Sequence, residues 1–223
     1  MTKLAIFDCD GTLVDSGATI FAALRLALEA HGRPVPPARE ARRVVGLSLF
    51  EAFEMIVPGA SVDEVDALSA TYRRAFQDMR ARGEVEEPLF EGIAELIEAM
   101  VADGWALAVA TGKSDRGLRH CLAAHGLSDR FVSLQTADRH PSKPHPAMAL
   151  AAMADAGAAP AQTVMIGDTG WDMGCARGAG IGAIGVGWGY HDEAELLASG
   201  AQFVAAAPAD VLAMATELIG GTR

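Results

Sequence analysis

Short, unbroken apolar runs alternate along this chain with longer stretches whose apolar residues recur at helical spacing. Residues 4–7 form a compact apolar run that stops at Asp8 and Gly11, the pattern of a buried strand. Residues 18–30 carry apolar side chains three and four apart and predict a helix ended by His31-Gly32. Pro34, Pro36 and Pro37 then punctuate the chain. Residues 38–45, 49–56 and 62–82 each predict a helix, with breaks at Gly46 and Pro58-Gly59, and residues 16–86 hold no good strand pattern. After Pro88 the pattern changes. Helices are predicted over 92–102, 114–125, 146–156, 171–177 and 209–219, and strands over 105–110, 131–135, 163–166, 181–186 and 201–204.

Strand alternating with helix predicts an α/β fold, a doubly wound, Rossmann-like parallel sheet with right-handed crossovers. The expected division is a catalytic core of residues 1–16 and 86–223 with an inserted all-helical cap of residues 17–85.

Composition narrows the possible partners. Half the residues are hydrophobic and a fifth charged, so the chain is globular and not disordered. The net charge of −11 argues against nucleic acid or an anionic membrane surface as a general partner. It also means that an anionic ligand needs a local centre of positive charge, which a bound metal can supply. The three cysteines, Cys9, Cys121 and Cys175, form no C-x-x-C pair, so the expectation is neither a disulfide framework nor a zinc site but a reducing cytoplasm. The opening apolar run is too short for a signal-peptide core, and no apolar stretch is long enough to predict a membrane span.

The chemistry-bearing residues stand where predicted strands end. The first strand runs into Asp8-Cys9-Asp10-Gly11-Thr12, whose two carboxylates can project toward one centre. Gly11 and Thr12 allow a tight turn whose exposed backbone N–H groups suit phosphate oxygens. Thr111-Gly112-Lys113 follows the second strand, Lys143 sits in Ser142-Lys143-Pro144-His145-Pro146, and Gly167-Asp168 leads to Asp172 after another strand. In doubly wound sheets, ligands bind at this edge, beside the point where strand order reverses. Outward winding from the first strand makes it and the Asp168 strand flank that point.

Together these four segments resemble the motifs of the haloacid dehalogenase-like hydrolase superfamily, in order and over nearly the whole chain. The helical insertion between the first and second motifs resembles the subfamily with a helical cap. That subfamily includes phosphoglycolate phosphatases, β-phosphoglucomutases and pyrophosphatases. The resemblance implies a nucleophilic Asp8 that forms an aspartyl-phosphate, later hydrolysed by water. It implies that Asp10 donates a proton to the leaving oxygen and then accepts one from water. It gives Thr111 and the following backbone N–H of Gly112 to a phosphoryl oxygen, and Lys143 to the charge on Asp8 and the phosphoryl group. It implies Mg²⁺ held by Asp8, the Asp10 backbone carbonyl and Asp168, with Asp172 acting directly or through a metal-bound water.

Around this set lie residues with two readings each. Arg39, Arg42 and Arg43 form a basic cluster that is a solvated helix face or, through Arg43, a reader of a second anionic group on the substrate. Gly46 and Ser48 lie where cap loops of similar proteins approach the active site, and so are candidates for substrate selection. Asp15 caps or orients the hinge or contacts a metal-bound water, with Ser16 and Gly17 as hinge material. Cys9 is a small buried side chain or a redox-sensitive thiol. His145 is assigned to its loop, and the glycines between 178 and 189 to close packing near the sheet edge.

The expected activity is hydrolysis of a small, phosphoglycolate-like phosphomonoester, by a monomer or homodimer with no nucleic-acid or membrane partner. The alternatives are a sugar phosphomutase or a pyrophosphatase using the same nucleophile. Asp10 argues against dehalogenation, which has no leaving oxygen to protonate, and the intact motif set argues against a non-catalytic binding protein.

Overall fold

The computed structural model describes residues 2–221. The first crossing of the sheet is β1 (Lys3–Phe7), after which the chain leaves through α1 (Gly17–Ala30), α2 (Ala38–Arg42), α3 (Leu49–Ile56) and α4 (Val62–Ala81). It returns through α5 (Ile93–Ala102), β2 (Trp105–Thr111), α6 (Asp115–Ala124), β3 (Ser133–Thr136), α7 (Ala147–Ala156) and β4 (Thr163–Gly167). The last elements are α8 (Gly170–Ala179), β5 (Gly182–Val186), α9 (Glu193–Ser199), β6 (Phe203–Ala205) and α10 (Pro208–Gly220).

The six strands form one parallel sheet in the order β3-β2-β1-β4-β5-β6. The chain winds outward from β1 to β3, then crosses back and winds outward from β4 to β6. The reversal therefore falls between β1 and β4, as the sequence predicts. The continuous apolar runs of the central strands follow from burial on both faces. Within β1, Ala5 and Phe7 enter the core under α5, α6 and α10, while Leu4 and Ile6 enter the core under α7 and α8. Helices α1 to α4 close a separate apolar core around Leu24, Leu28, Phe53, Val65 and Leu68.

Two shifted boundaries and one additional helix have visible causes. The helix expected over 38–45 stops at Arg42, and residues 43–47 form turns, with Gly46 at φ 91°. The strand expected from 131 begins at Ser133, because Phe131 turns into the core and only Val132 N–H reaches Leu107 O, at 2.8 Å. Helix α9 was not anticipated. Its signal is the capping box in which Asp192 accepts from Glu195 N–H at 2.9 Å and Glu195 accepts from Asp192 N–H at 3.2 Å. Among the described residues, no helix is long and apolar enough to cross a membrane.

Candidate active site

The reversal between β1 and β4 opens a crevice at the carboxyl edge of the sheet, and three buried acids converge there. Asp8 follows β1 and is pinned to the neighbouring strand by its N–H, which donates to Ile166 O at 2.9 Å. Asp168 follows β4. Asp172 sits in the first turn of α8, where its Oδ2 accepts from Thr169 N–H at 3.0 Å and from Thr169 Oγ1 at 2.7 Å. One carboxylate oxygen from each of Asp8, Asp168 and Asp172 lies within 4.8 Å of the others, and all three side chains are fully buried.

Lys143 supplies the one positive charge this cluster contains. Its Nζ lies 3.0 Å from Asp8 Oδ1 and 2.6 Å from Asp172 Oδ1, and donates to Ala110 O at 3.2 Å. Burial alone would favour a neutral amine, but Asp172 and Asp8 outweigh it and hold the ammonium charged. Three carboxylates against one ammonium leave the cluster two negative charges in excess. Burial accordingly pushes Asp8 up to about 7, despite Lys143, with Asp172 and Asp10 adding to the rise. Burial, with Asp172 and Asp8, also raises Asp168 well above the usual carboxylate range. Asp8 Oδ2 is buried with no hydrogen-bond partner. Excess negative charge, an orphan oxygen and an oxygen-only donor set fit a hard divalent cation.

The turn after Asp8 differs from expectation in two ways. The amides of Gly11 and Thr12 are not presented to a ligand: they donate to Val14 O at 2.9 Å and Cys9 O at 3.4 Å and so close the turn itself. Thr12 instead donates from Oγ1 to Asp168 Oδ1 at 2.9 Å. The other Asp168 oxygen accepts from Tyr190 N–H at 2.9 Å. A Cβ on Gly189 would stand 2.1 Å from Asp168 Cβ, so the glycine-rich loop after β5 packs directly on an acid of the site. Sequence reading assigned that loop to packing and did not see what it packs against.

Nor do Asp8 and Asp10 share one centre. The Asp10 carboxylate joins a second network, accepting from Ser16 Oγ and lying 2.8 Å from Lys113 Nζ. Lys113 Nζ also reaches Glu87 Oε1 at 2.6 Å, and Arg80 Nη2 reaches Glu87 Oε2 at 3.1 Å. Burial alone would lower Lys113, but Asp10, Cys9 and Glu87 outweigh it and keep the ammonium charged. The sequence pattern assigns no role to Lys113, although it stands in a motif, and none to Glu87. The available signal was the position of Lys113, two residues past the end of a predicted buried strand.

A roof over the acid cluster comes from residues 43–48. A Cβ on Gly46 would lie 3.5 Å from Asp8 Oδ2 and 3.8 Å from Lys143 Nζ. On the facing side, a Cβ on Gly112 would stand 2.2 Å from Leu47 O, so only glycine permits this approach. Ser48 N–H donates to Ser142 Oγ at 2.8 Å, beside Lys143. Arg43 O accepts from Trp171 Nε1 and from His191 Nε2, each at 3.2 Å. The Arg43 guanidinium turns away from the acids and pairs with Glu195 on α9. The structure thus brings Gly46 and Lys143 to Asp8, sets Gly112 against Leu47 and Ser48 against Ser142, and leaves the Arg43 side chain outside. Thr111 is fully buried, and its Oγ1 accepts from Lys113 N–H at 3.2 Å.

Of the residues with two readings, Asp15 is exposed and its Oδ1 accepts from Gly17 N–H at 3.4 Å, at the start of α1. His145 is exposed, and its Nδ1 accepts from Ala147 N–H at 3.2 Å. Cys9 is fully buried with its sulfur 3.9 Å from that of Cys121, and that contact and burial raise its thiol well above the usual range. That environment suppresses the thiolate a redox sensor needs.

Residues 5–186 match the family described as haloacid dehalogenase-like hydrolase. This chain belongs to that family. It is 37% identical to the probable phosphatase IndB of Dickeya dadantii over 222 residues, 98% of this chain and 96% of that protein. It is 35% identical to the tyrosine-protein kinase PtkA of Mycobacterium tuberculosis over 84% of this chain, which spans 63% of PtkA. It is 29% identical to a phosphoglycolate phosphatase of Vibrio parahaemolyticus over 94% of each chain. The crystal structure of a hydrolase from Pseudomonas syringae superposes with a TM-score of 0.84 at 28% identity, covering 97% of this chain and 99% of that one.

Proposed function

We propose that this hydrolase is a Mg²⁺-dependent phosphatase that opens small phosphomonoesters through an aspartyl-phosphate on Asp8. The observation that carries the reading is the buried set of three acids and one lysine at the sheet reversal, with Asp8 Oδ2 left unpartnered. Cys9 N–H, at 2.6 Å, and Lys143 both hold Asp8 Oδ1, so Oδ2 is the oxygen available for new bonds.

Asp8 attacks phosphorus, and Lys143 offsets charge on the nucleophile and on the phosphoryl oxygens. Thr111 Oγ1 donates to a phosphoryl oxygen. Asp10 gives a proton to the departing oxygen and takes one from the water that hydrolyses the aspartyl-phosphate. Asp8, Asp168 and the Asp10 carbonyl would hold the cation. Asp172 is already ion-paired with Lys143 at 2.6 Å, whereas the oxygens of Asp168 have only the neutral donors Thr12 and Tyr190 N–H, which favours Asp168 as a direct ligand and Asp172 acting through water. When bound, the cation supplies charge stabilisation to the phosphoryl group that this acidic chain otherwise lacks.

Residues 17–85 act as the cap. The Gly46 turn fills the space over Asp8 Oδ2, so substrate enters by displacing it. A roof this close to the nucleophile favours a small substrate, and phosphoglycolate represents the class. The test is a panel of phosphoglycolate, sugar phosphates, nucleotides and pyrophosphate, assayed with Mg²⁺ for free phosphate and for isomerised sugar phosphate. Free phosphate is expected, and Asp8→Asn should release none. Isomerised sugar phosphate as the product would replace the phosphatase reading with a mutase. Undiminished release by Asp8→Asn would overturn the nucleophile assignment.

A further inference from the structure

Asp10 must reach the leaving oxygen, yet in this structure its carboxylate is held by groups outside the three-acid cluster. Those groups tie it to both chain segments that connect the sheet to the helical block, directly through Ser16 and, through Lys113, to Glu87. Ser16 lies on the outgoing crossing and Glu87 on the returning one. The two crossings are hydrogen-bonded to each other: Asp15 N–H donates to Pro88 O at 2.9 Å, Thr19 Oγ1 donates to Glu86 O at 2.9 Å, and Glu86 N–H donates to Thr19 Oγ1 at 3.0 Å. Lys113 joins them to Asp10. Its side chain is 8% exposed, its ammonium contacts both Asp10 and Glu87, and the Phe76 ring of α4 lies 5.9 Å away.

The charges of this network balance. Asp10 and Glu87 are matched by Lys113 and Arg80, whereas the neighbouring acid cluster carries an excess of negative charge. Burying an ammonium at this depth is costly unless its partners are fixed. Lys113 therefore cannot let go of one carboxylate without a penalty, and a shift of the Glu87 crossing moves the charge that holds Asp10. We infer that Lys113 is a positioning residue for Asp10, tethering it through Glu87 to the crossings so that movement of the helical block sets where the proton-transfer carboxylate points. This inference rests on the phosphatase reading and adds to it a residue that acts through Asp10, not on the phosphoryl group.

The test compares Lys113→Met with the parent on p-nitrophenyl phosphate, whose leaving group needs no proton, and on an alkyl phosphate, whose leaving group does. General acid catalysis is worth on the order of 10²- to 10⁴-fold, and a misplaced acid retains part of that. The expected result is a kcat loss about tenfold larger for the alkyl phosphate, with KM changed by less than about threefold. In an Asp10→Asn background Lys113→Met should cost no further activity, because residues acting as one unit are non-additive. Glu87→Gln, which leaves Lys113 paired with Asp10, should show the same leaving-group dependence at smaller size, and it decides the matter if Lys113→Met does not fold. Equal losses on both substrates, or losses that multiply in the double variant, would overturn the inference while leaving the phosphatase reading intact. No phosphate release by the parent from either substrate would overturn both.

Discussion

The acid cluster makes an unusual demand on the metal-free fold, and replacing Asp8, the proposed nucleophile, should expose it. Asp8 is fully buried, and its carboxyl is pushed up from 3.8 to about 7. A carboxyl whose folded value lies above its unfolded value favours the fold below the unfolded value and loses that contribution as pH rises to the folded one. Here the window runs from about 4 to about 7. At about 1.4 kcal/mol per tenfold change in proton affinity, ionised Asp8 costs the metal-free fold about 4 kcal/mol at pH 8. Asp8→Asn removes that cost. That cost already includes the attraction of Lys143, which in the variant keeps Asp172 and Ala110 O, so a net gain of about 2–4 kcal/mol is expected. For a chain of this length that corresponds to roughly 4–16 °C in Tm. Urea unfolding in EDTA, followed by tryptophan fluorescence at pH 8 and pH 5, measures it, and the advantage should fall below about 2 kcal/mol at pH 5. Saturating Mg²⁺ should erode the advantage at pH 8, since a ligand at 100 times its Kd stabilises the parent by about 2.7 kcal/mol. An Asp8→Asn protein no more stable than its parent in EDTA at pH 8, or a gap that does not change with pH, would refute the burial argument.

Three further outcomes follow from the same geometry. Lys143→Met leaves the three acids without their cation and should destabilise the metal-free protein by about 3–5 kcal/mol at pH 8 by urea unfolding, with phosphate release down at least about 100-fold. Gly112→Ala puts a methyl group 2.2 Å from Leu47 O, so the 43–48 turn must lift. The expected readouts are a severalfold higher KM and faster proteolytic cleavage within that turn, and an unchanged KM would show that the turn does not gate substrate. Chelation with EDTA should abolish phosphate release and Mg²⁺ should restore it, so metal-independent release would reject the assignment of Asp168 as a ligand.

What could be read from sequence divides along physical lines. The central strands were legible because burial on both faces writes itself as an unbroken apolar run, and the reversal between β1 and β4 followed from their order. The acids and Lys143 were legible because each stands just past such a run or in a motif. Helix α9 was not, because seven residues are too few for a helical period to emerge and only its capping box marks it. Arg43 kept two readings for a related reason: Arg39, Arg42 and Arg43 look alike in sequence, and only the tertiary fold shows that this guanidinium pairs with Glu195.

The treatment of Asp10 shows why the remaining part of the site was hidden. Alternation along a strand sends residues two apart to the same face, and that rule predicts that Asp8 and Asp10 converge. The rule ends where the strand ends. The turn closed by Gly11 N–H, Leu13 N–H and Val14 N–H takes Asp10 out of the strand's geometry, and its carboxylate goes to Lys113 and Ser16. Lys113, which holds it, is itself paired with Glu87 from beyond the helical insertion and lies 5.9 Å from the Phe76 ring within it, so no local pattern could name these groups. The result is a division of electrostatic labour between two acids two residues apart. Asp8, the proposed nucleophile, is fixed to the sheet in a pocket short of positive charge, which suits the cation proposed to bind there. Asp10, the proposed proton-transfer acid, sits in a balanced network anchored on both crossings, which suits the proposed coupling of its position to the helical block.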